Sequence, residues 1–90
     1  MSKCLSLQVF GLVQGVWFRK STMEKAIELG LRGIVKNEKD GSVYIEVEGD
    51  DENLKIFLEW CKIGPSGARI TKLTEEAIPL KKYSSFSIKK

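Results

Sequence analysis

The chain has 90 residues, of which 42% are hydrophobic and 30% are charged, and its formal net charge is +3. This length and composition predict one globular domain over residues 1–90 and exclude an intrinsically disordered chain. Because acidic residues are interspersed among the basic ones, the charge pattern excludes the basic stripe of a nucleic-acid binder and suits a small anionic partner.

A strand and a helix are predicted in the first third of the chain. Apolar and polar residues alternate up to about Gly11, which is typical of a strand with one buried face (Leu5, Leu7 and Val9). Apolar residues then recur at helical spacing over residues 20–29 (Met23, Ala26 and Ile27). Ser21 and Glu24 are spaced as a capping box, and Gly30 is placed to end this helix.

A hairpin, a second helix and two further strands follow. The hairpin has arms around residues 34–35 and 43–47 and a turn at 38–41, where Gly41 can adopt positive φ. The second helix is capped by Asp50 or Asp51, ends at Gly64-Pro65 and has an apolar stripe (Leu54, Phe57, Leu58 and Cys61). A strand at 68–73, a polar stretch through Pro79 and a short strand at 83–89 complete the chain.

This order of elements predicts an α+β fold of the ferredoxin-like βαββαβ type, with a short additional C-terminal strand. The expected architecture is a sandwich of an antiparallel sheet with two helices on one face. The first and third strands should lie side by side at the centre of the sheet. The loop at 11–20, between the first strand and the first helix, then opens at one end of the sheet.

The residue types present narrow the chemistry. The absence of histidine excludes imidazole acid–base catalysis and most zinc sites. Cys4 and Cys61 are interpreted as small apolar residues in a reducing compartment, with a single disulfide between them as the alternative. The sequence has no apolar run of 18 residues and no secretory signal at its N-terminus, so a cytoplasmic protein without a membrane partner is expected.

The loop "VQGVWFR" at 13–19 has the composition of an anion-binding cradle. A glycine-containing turn before a helix can direct successive backbone N–H groups and the helix dipole toward one anion. Gly15 permits close approach of the backbone, and Val13, Val16 and Phe18 can anchor the loop in the core. Arg19 adds a planar fork that matches two phosphate oxygens. The alternative is an ordinary bend at a strand end, with Arg19 solvated on the helix.

Four further residues near this loop or the hairpin turn have two interpretations each. Trp17 could line a substrate pocket, although a half-buried packing role is the more common use of such a residue. Asn37 ends the first hairpin arm, where asparagine commonly serves only to form a turn. Lys36 and Lys39 are typical solvated hairpin charges, but either could steer an anion toward the loop.

The chain resembles the acylphosphatase family along essentially its whole length. The resemblance lies in Gly11-x-Val13-Gln14-Gly15-Val16-x-Phe18-Arg19, Gly30-Leu31-x-Gly33-x-Val35-Lys36-Asn37, Asp40-Gly41-Ser42-Val43, Gly64-Pro65 with Ala68, and Phe86-x-Ile88. It implies a small cytosolic, monomeric hydrolase that cleaves the carboxyl-phosphate bond of acyl phosphates, on the ferredoxin-like fold already predicted.

The resemblance also implies roles for individual residues. Arg19 and Asn37 correspond to the family's catalytic residues, and the substrate-binding loop corresponds to Gln14, Gly15, Val16, Trp17, Phe18 and Arg19. The implied reaction is direct attack by a water that Asn37 positions, with no metal and no cofactor, and with inorganic phosphate as product and competitive inhibitor. Ile34 stands where the family often has tryptophan, and Trp17 where it often has a smaller residue, which bears on packing and substrate preference.

Two other classes of function remain to be compared with hydrolysis. One is a non-catalytic module on the same fold that binds an anion or RNA, but an RNA-recognition sheet needs more aromatic residues than these central strands carry. The other is an accessory domain of a larger carbamoyl-transferring enzyme, against which the length of 90 residues favours an independent domain.

Overall fold

The computed structural model describes residues 2–89. Over these residues the elements are β1 (Ser2–Leu12), α1 (Phe18–Glu28), β2 (Arg32–Asn37), β3 (Val43–Asp50), α2 (Asp51–Ile63), β4 (Arg69–Ile78) and β5 (Phe86–Ile88). The sheet order is β4-β1-β3-β2-β5, with β1 beside β3 at the centre as predicted. The α+β, ferredoxin-like βαββαβ fold is confirmed, although β5 pairs parallel with β2 and makes the sheet mixed. No helix within 2–89 has the length and apolarity needed to cross a bilayer.

β1 follows the predicted alternation and continues one residue beyond Gly11. Leu7 and Val9 are buried in the core, and the pairing with β4 shifts register between Phe10 and Gly11. Gly11 has φ of 129°, and a Cβ there would lie 1.9 Å from the carbonyl oxygen of Arg69. Only glycine fits this close approach, so the bulge that turns β1 toward the following loop depends on it.

α1 begins at Phe18, earlier than the predicted start at residue 20, and the predicted capping box is wrong. Ser21 lies inside the helix, where its backbone N–H donates to the carbonyl of Trp17 at 2.9 Å. The N-cap is Trp17 with φ of 62°, and it makes no side-chain capping bond. The physical reason is the burial of Phe18, which is 1% exposed. Packing of this ring in the core places it in the first turn of the helix, so the helix begins before Ser21.

The C-terminal end of α1 and both ends of α2 follow the sequence. The backbone N–H groups of Gly30 and Leu31 bond back to residues 27 and 26, which is the Schellman arrangement, and Gly30 has φ of 70°. Asp50 occupies the N-cap position of α2, and Gly64 occupies its C-cap. Leu54, Phe57 and Cys61 of the predicted stripe are buried, and Leu58 is partly buried against the same core.

β4 is longer and β5 shorter than predicted. The polar stretch after residue 73 continues β4 to Ile78 and pairs with β1, for example Glu76 with Ser6. Charged side chains are tolerated there because β4 is an edge strand with one face toward solvent. β5 keeps only Phe86–Ile88 of the predicted 83–89, with Phe86 buried.

The sheet face opposite the helices contains two buried glutamates of β3, Glu46 and Glu48. Glu48 is 1% exposed and accepts backbone N–H bonds from Lys81, Lys82 and Tyr83 at 2.8, 3.1 and 2.9 Å. Burial alone would raise the pKa of the Glu48 carboxyl, but these donors and the nearby Arg32 guanidinium together hold it below its ordinary value. Segment 81–83 therefore docks on the sheet through a buried, ionised carboxylate.

Glu46 reinforces this docking. It is 6% exposed, accepts bonds from the hydroxyls of Tyr44 and Tyr83, and pairs with the Lys81 ammonium at 2.8 Å. Burial and the bond to Glu46 raise the pKa of Tyr44 to about 12, so this hydroxyl stays a donor at neutral pH. The carboxylates of Glu46 and Glu48 are therefore both hydrogen-bonded to donors of the protein.

Replacing Glu48 tests this docking. Glu48→Ala leaves three backbone N–H groups without their acceptor, so we expect the free energy of unfolding in urea to fall by about 3 kcal/mol at pH 7. Since the folded pKa is lowered, the stabilisation is present above the unfolded pKa of about 4.3 and is lost as pH falls through the folded value. The difference between wild type and variant should therefore shrink below about pH 4.

The matched control is Glu76→Ala, which removes an exposed glutamate of β4 and should change stability by less than about 0.5 kcal/mol. A difference between wild type and Glu48→Ala that is the same at pH 7 and pH 3 would contradict an ionised role for Glu48.

Candidate active site

The loop between β1 and α1 opens into a cleft of about 710 Å³ at one end of the sheet. Arg19, Asn37 and all the predicted loop residues except Val16 line this cleft (Gln14, Gly15, Trp17 and Phe18). Val16 instead packs, partly buried, against the core. The cleft also includes residues that the sequence did not single out as binding residues (Val13, Lys20, Met23 and Ile88). The structure thus brings the two predicted catalytic residues to one cavity.

Strand register explains why residues 18 positions apart meet. Val43, at the start of β3, pairs with Val9 of β1 on one side and with Asn37 of β2 on the other. β1 and β2 both run antiparallel to β3, so their C-terminal residues lie at the same end of the sheet. Two strand spacings place Asn37 about 10 Å across the sheet from β1. The loop that follows β1 spans this gap and brings Arg19 to the Asn37 side.

The loop backbone alternates between left-handed and other conformations. Gly15 and Trp17 have φ of 75° and 62°, while Val16 between them does not have positive φ. Alternation of this kind directs successive N–H groups to one side. The backbone N–H groups of residues 15–19 find no acceptor among residues 2–89. They are therefore available to an anion in the cleft.

Buried neighbours hold the loop in this form. Val13 and Phe18, on either side of it, are each 1% exposed. A Cβ on Gly15 would meet no atom within 4 Å, so the space above it belongs to the cleft. Because the anchors are apolar and buried, the loop does not need to be ordered by its ligand.

Gln14 ties the loop to the hairpin turn that follows Asn37. Its side-chain Nε2 donates to the backbone carbonyls of Glu38 and Ser42, each at 2.9 Å. The turn is closed by the Glu38 N–H bond to the same Ser42 carbonyl, at 2.8 Å. Both amide hydrogens of Gln14 are thus used within the protein. The predicted substrate-binding residue Gln14 lies in the cleft, but its donors hold the turn.

A second interaction organises the same turn. The Asp40 carboxylate accepts bonds from the hydroxyl and the backbone N–H of Ser42, and these bonds lower the pKa of Asp40. Gln8 of β1 donates to the Ser42 hydroxyl at 3.0 Å. Asn37 is exposed at the end of β2, so its side chain is held by its backbone position rather than by burial. None of these bonds involves the Asn37 side chain.

The charges around the cleft favour an anion. Arg19, which is half-buried, and Lys20 line it, and none of the described lining residues is acidic. Lys36 lies 3.6 Å from Glu38 and 5.5 Å from the centre of the Tyr44 ring, so its charge is engaged in the hairpin. Lys39 is exposed in the turn. A second cleft, on the sheet face away from the helices, is lined by Glu46, Glu75 and Glu76 and would repel an anion.

Trp17 differs from the half-buried packing role expected of it. Its side chain is 76% exposed, and its positive φ is unusual for so bulky a residue. Cys4 and Cys61 are free and buried, as expected for small apolar residues. Within residues 2–89, no three metal-binding side chains cluster closely enough to hold a metal ion.

Known proteins with similar sequence and structure identify the family of this chain. The acylphosphatase family model matches residues 5–88. An acylphosphatase of Pseudomonas paraeruginosa is 41% identical over 87 residues, which are 97% of this chain and 96% of that protein. The structure of an acylphosphatase from Coxiella burnetii superposes with a TM-score of 0.95 at 38% identity, covering 98% of this chain and 93% of the other.

A larger protein contains a similar segment. Full-length HypF, in its phosphate- and nucleotide-bound form, matches all of this chain with a TM-score of 0.91 at 30% identity, but the match covers only 12% of HypF. The relatives of similar length and the family match along nearly the whole sequence decide the assignment. The chain belongs to the acylphosphatase family, whose members hydrolyse acyl phosphates.

Proposed function

We propose that this chain cleaves the carboxyl-phosphate bond of an acyl phosphate by direct attack of water on phosphorus. The phosphoryl group binds the backbone N–H groups of the loop at 14–19 and the Arg19 guanidinium. Asn37 positions the water, and the reaction uses neither metal nor cofactor. The observation that carries the proposal is that Arg19, Asn37 and loop residues whose backbone N–H groups find no acceptor among residues 2–89 line one cleft.

The proposed phosphate cradle acts by charge and position. Preorganised N–H donors and the N-terminus of α1 stabilise negative charge without reorganising during the reaction. Arg19, in the first turn of α1, adds a permanently charged fork for two phosphoryl oxygens. A phosphoryl-transfer transition state needs mainly such positioning and charge stabilisation.

Asn37 is proposed to hold the attacking water through its side-chain oxygen, which accepts a hydrogen bond from that water. As the water oxygen bonds to phosphorus, the bond between phosphorus and the acyl oxygen breaks, and its electron pair leaves on the carboxylate. The proton of the water passes to a phosphoryl oxygen or to solvent. A carboxylate is a good leaving group, so no strong general acid is required.

A cysteine nucleophile is disfavoured by the positions of both thiols. Neither cysteine lines the cleft, and burial raises the pKa of the thiols of Cys4 and Cys61. No acidic residue is available in the cleft to form a phosphoaspartate. Direct attack by water therefore suits the described residues better than a covalent intermediate.

Gln14 is proposed as a positioning residue. Its bonds to the carbonyls of Glu38 and Ser42 connect the cradle with the turn that adjoins Asn37. This connection fixes the distance between the bound phosphoryl group and the attacking water. A misplacement of about 1 Å at such a centre can cost about 100-fold in rate.

The remaining parts of the proposal concern partners and location. Inorganic phosphate should occupy the cradle as product and competitive inhibitor, and the chain is proposed to act as a cytoplasmic monomer. RNA binding is less suited to the sheet, because its open face contains Glu46 and the hydroxyl of Tyr44 is bonded to that carboxylate.

The first test of this proposal compares leaving groups. Acetyl phosphate should be hydrolysed at least about 1,000-fold faster than an alkyl phosphate monoester, because an alkoxide does not leave readily without a general acid. The measurement is kcat/KM on both substrates, before and after exhaustive chelation. Comparable rates on the two substrates, or activity that disappears with the chelator and returns with magnesium, would refute the mechanism.

A second test separates Arg19 from Asn37. Arg19→Ala should weaken phosphate binding and lower turnover, and Arg19→Lys should restore only part, because an ammonium lacks the planar fork. Asn37→Ala should lower kcat by about 100- to 1,000-fold while changing the phosphate Ki little. Circular dichroism establishes that each variant is folded. A wild-type kcat in Asn37→Ala would mean that Asn37 only forms the turn.

A third test concerns Gln14. We expect Gln14→Ala to lower kcat about tenfold and to reduce the additional effect of Asn37→Ala, because residues that act as one unit are not additive. The matched control is Gln8→Ala, which removes an amide that bonds the same turn at Ser42 from outside the cleft. Independent, additive effects of Gln14→Ala and Asn37→Ala would show that the bridge does not position the water.

A further inference from the structure

The cleft extends beyond what a phosphoryl group needs. Its volume of about 710 Å³ lies in the range of roughly 300–1,000 Å³ that encloses a drug-sized molecule. One part of its wall is apolar and is formed by Trp17, Met23 and Ile88, which we call the acyl wall. We propose that the acyl wall binds the acyl group of the substrate and selects acyl phosphates with an aromatic acyl group. This inference rests on the proposed function and names its substrate class.

The conformation of Trp17 is the first observation behind this inference. Its side chain is 76% exposed, so it contributes little to the core, and its φ of 62° is strained for a bulky residue. An exposed indole contributes little burial to folding, and its strained backbone conformation is unfavourable. Its position in the cleft, two residues before Arg19, gives it a use that packing does not.

The rest of the acyl wall is fixed beside the proposed catalytic residues. Met23 lies four residues after Arg19, so both side chains project from the same face of α1. Ile88 of β5 pairs with Val35, two residues before Asn37. Met23 and Ile88 are partly buried against the core, which holds them in place. An acyl group attached to a phosphoryl group in the cradle therefore has an ordered apolar surface within the same cleft.

An aromatic acyl group fits this wall best. The indole offers a flat face for stacking, and the Met23 thioether makes favourable contacts with aromatic rings. The Lys20 ammonium lies 5.7 Å from the centre of the Trp17 ring, which engages its charge with that ring. A competing occupant is an acyl group with a second negative charge, bound by Lys20. An aromatic acyl group should lose affinity when Trp17 is replaced, whereas a second negative charge should lose affinity when Lys20 is replaced.

The test measures binding apart from chemistry by using two stable phosphonates. Benzylphosphonate and methylphosphonate share the anion and differ in the aromatic ring. We expect wild type to bind benzylphosphonate about tenfold more tightly, which corresponds to about 1.4 kcal/mol. Dissociation constants come from calorimetry, and inhibition constants from competition with acetyl phosphate. If wild type does not hydrolyse acetyl phosphate, the proposed function is refuted. If wild type hydrolyses acetyl phosphate but binds the two phosphonates equally, only the proposed role of the acyl wall is refuted.

Variants assign the preference to the indole. In Trp17→Ala the ratio of the two affinities should fall about tenfold, to near one, and Trp17→Phe should keep most of it. Lys20→Gln should keep the ratio. The matched control is Ile63→Ala, which removes a side chain that is 75% exposed and lies outside the cleft. An unchanged ratio in Trp17→Ala would overturn the inference.

Two further measurements test the alternatives, which are a second negative charge on the acyl group and a packing role for Trp17. If 2-carboxyethylphosphonate binds more tightly than benzylphosphonate and loses that advantage in Lys20→Gln, the wall selects a second charge and the inference fails. The urea midpoint distinguishes packing from function. Because glycine relieves the strain of positive φ, Trp17→Gly should have a higher midpoint than both Trp17→Ala and wild type. A midpoint below wild type in both variants would show that Trp17 is retained for packing.

Discussion

The pairing of β3 with both β1 and β2 is the constraint on which the site depends. Val43 pairs with Val9 on one side and with Asn37 on the other, so the C-terminal ends of β1 and β2 lie at the same end of the sheet. The loop after β1 and the turn after β2 therefore face each other. The amide of Gln14 then fixes their separation with two bonds of 2.9 Å. A change in register by one residue would invert the side chains and separate Arg19 from Asn37.

The proposed anion site consists mainly of backbone, and its positive φ angles cost conformational free energy. Gly11 and Gly15 have positive φ, as does Trp17, and these residues form the bulge and the loop. The buried side chains of Val13 and Phe18 offset this strain by fixing both ends of the loop. We propose that preorganisation of this kind suits the cleft to phosphoryl chemistry, although none of its described lining residues is a histidine, a cysteine or an acidic residue. In the proposed mechanism the substrate supplies the good leaving group, and the protein supplies position and charge.

The opposite face of the sheet shows a different use of polar groups. Glu46 and Glu48 are buried, and apart from the Tyr44 hydroxyl of β3 the donors that bond them belong to segment 81–83. A buried carboxylate is tolerated only when its oxygens are satisfied, so these bonds also dictate the path from β4 to β5. That path brings β5 beside β2 and so places Ile88 at the cleft. The two faces are thus linked through the last strand.

Local pattern was sufficient for most elements of the fold and for the position of the site. The alternation in β1, the hairpin with Gly41, the stripe of α2 and the Gly30 stop depend on neighbours in sequence, and each was predicted. The loop residues and Asn37 were predicted as site residues because glycine, arginine and asparagine at these spacings resemble one family. These features need no knowledge of distant contacts.

Other features were decided only by the tertiary structure. The start of α1 moved to Phe18 because burial of that ring outweighed the Ser21–Glu24 capping pattern. Residues 74–78, which include two glutamates, became strand because β1 offered them a pairing edge. The burial of Glu48, the bridge from Gln14 and the exposure of Trp17 likewise depend on contacts between residues far apart in sequence. The sequence by itself determined most of the elements and the candidate anion-binding residues. The long-range contacts determined how those residues face one another, because burial and register are properties of the assembled sheet.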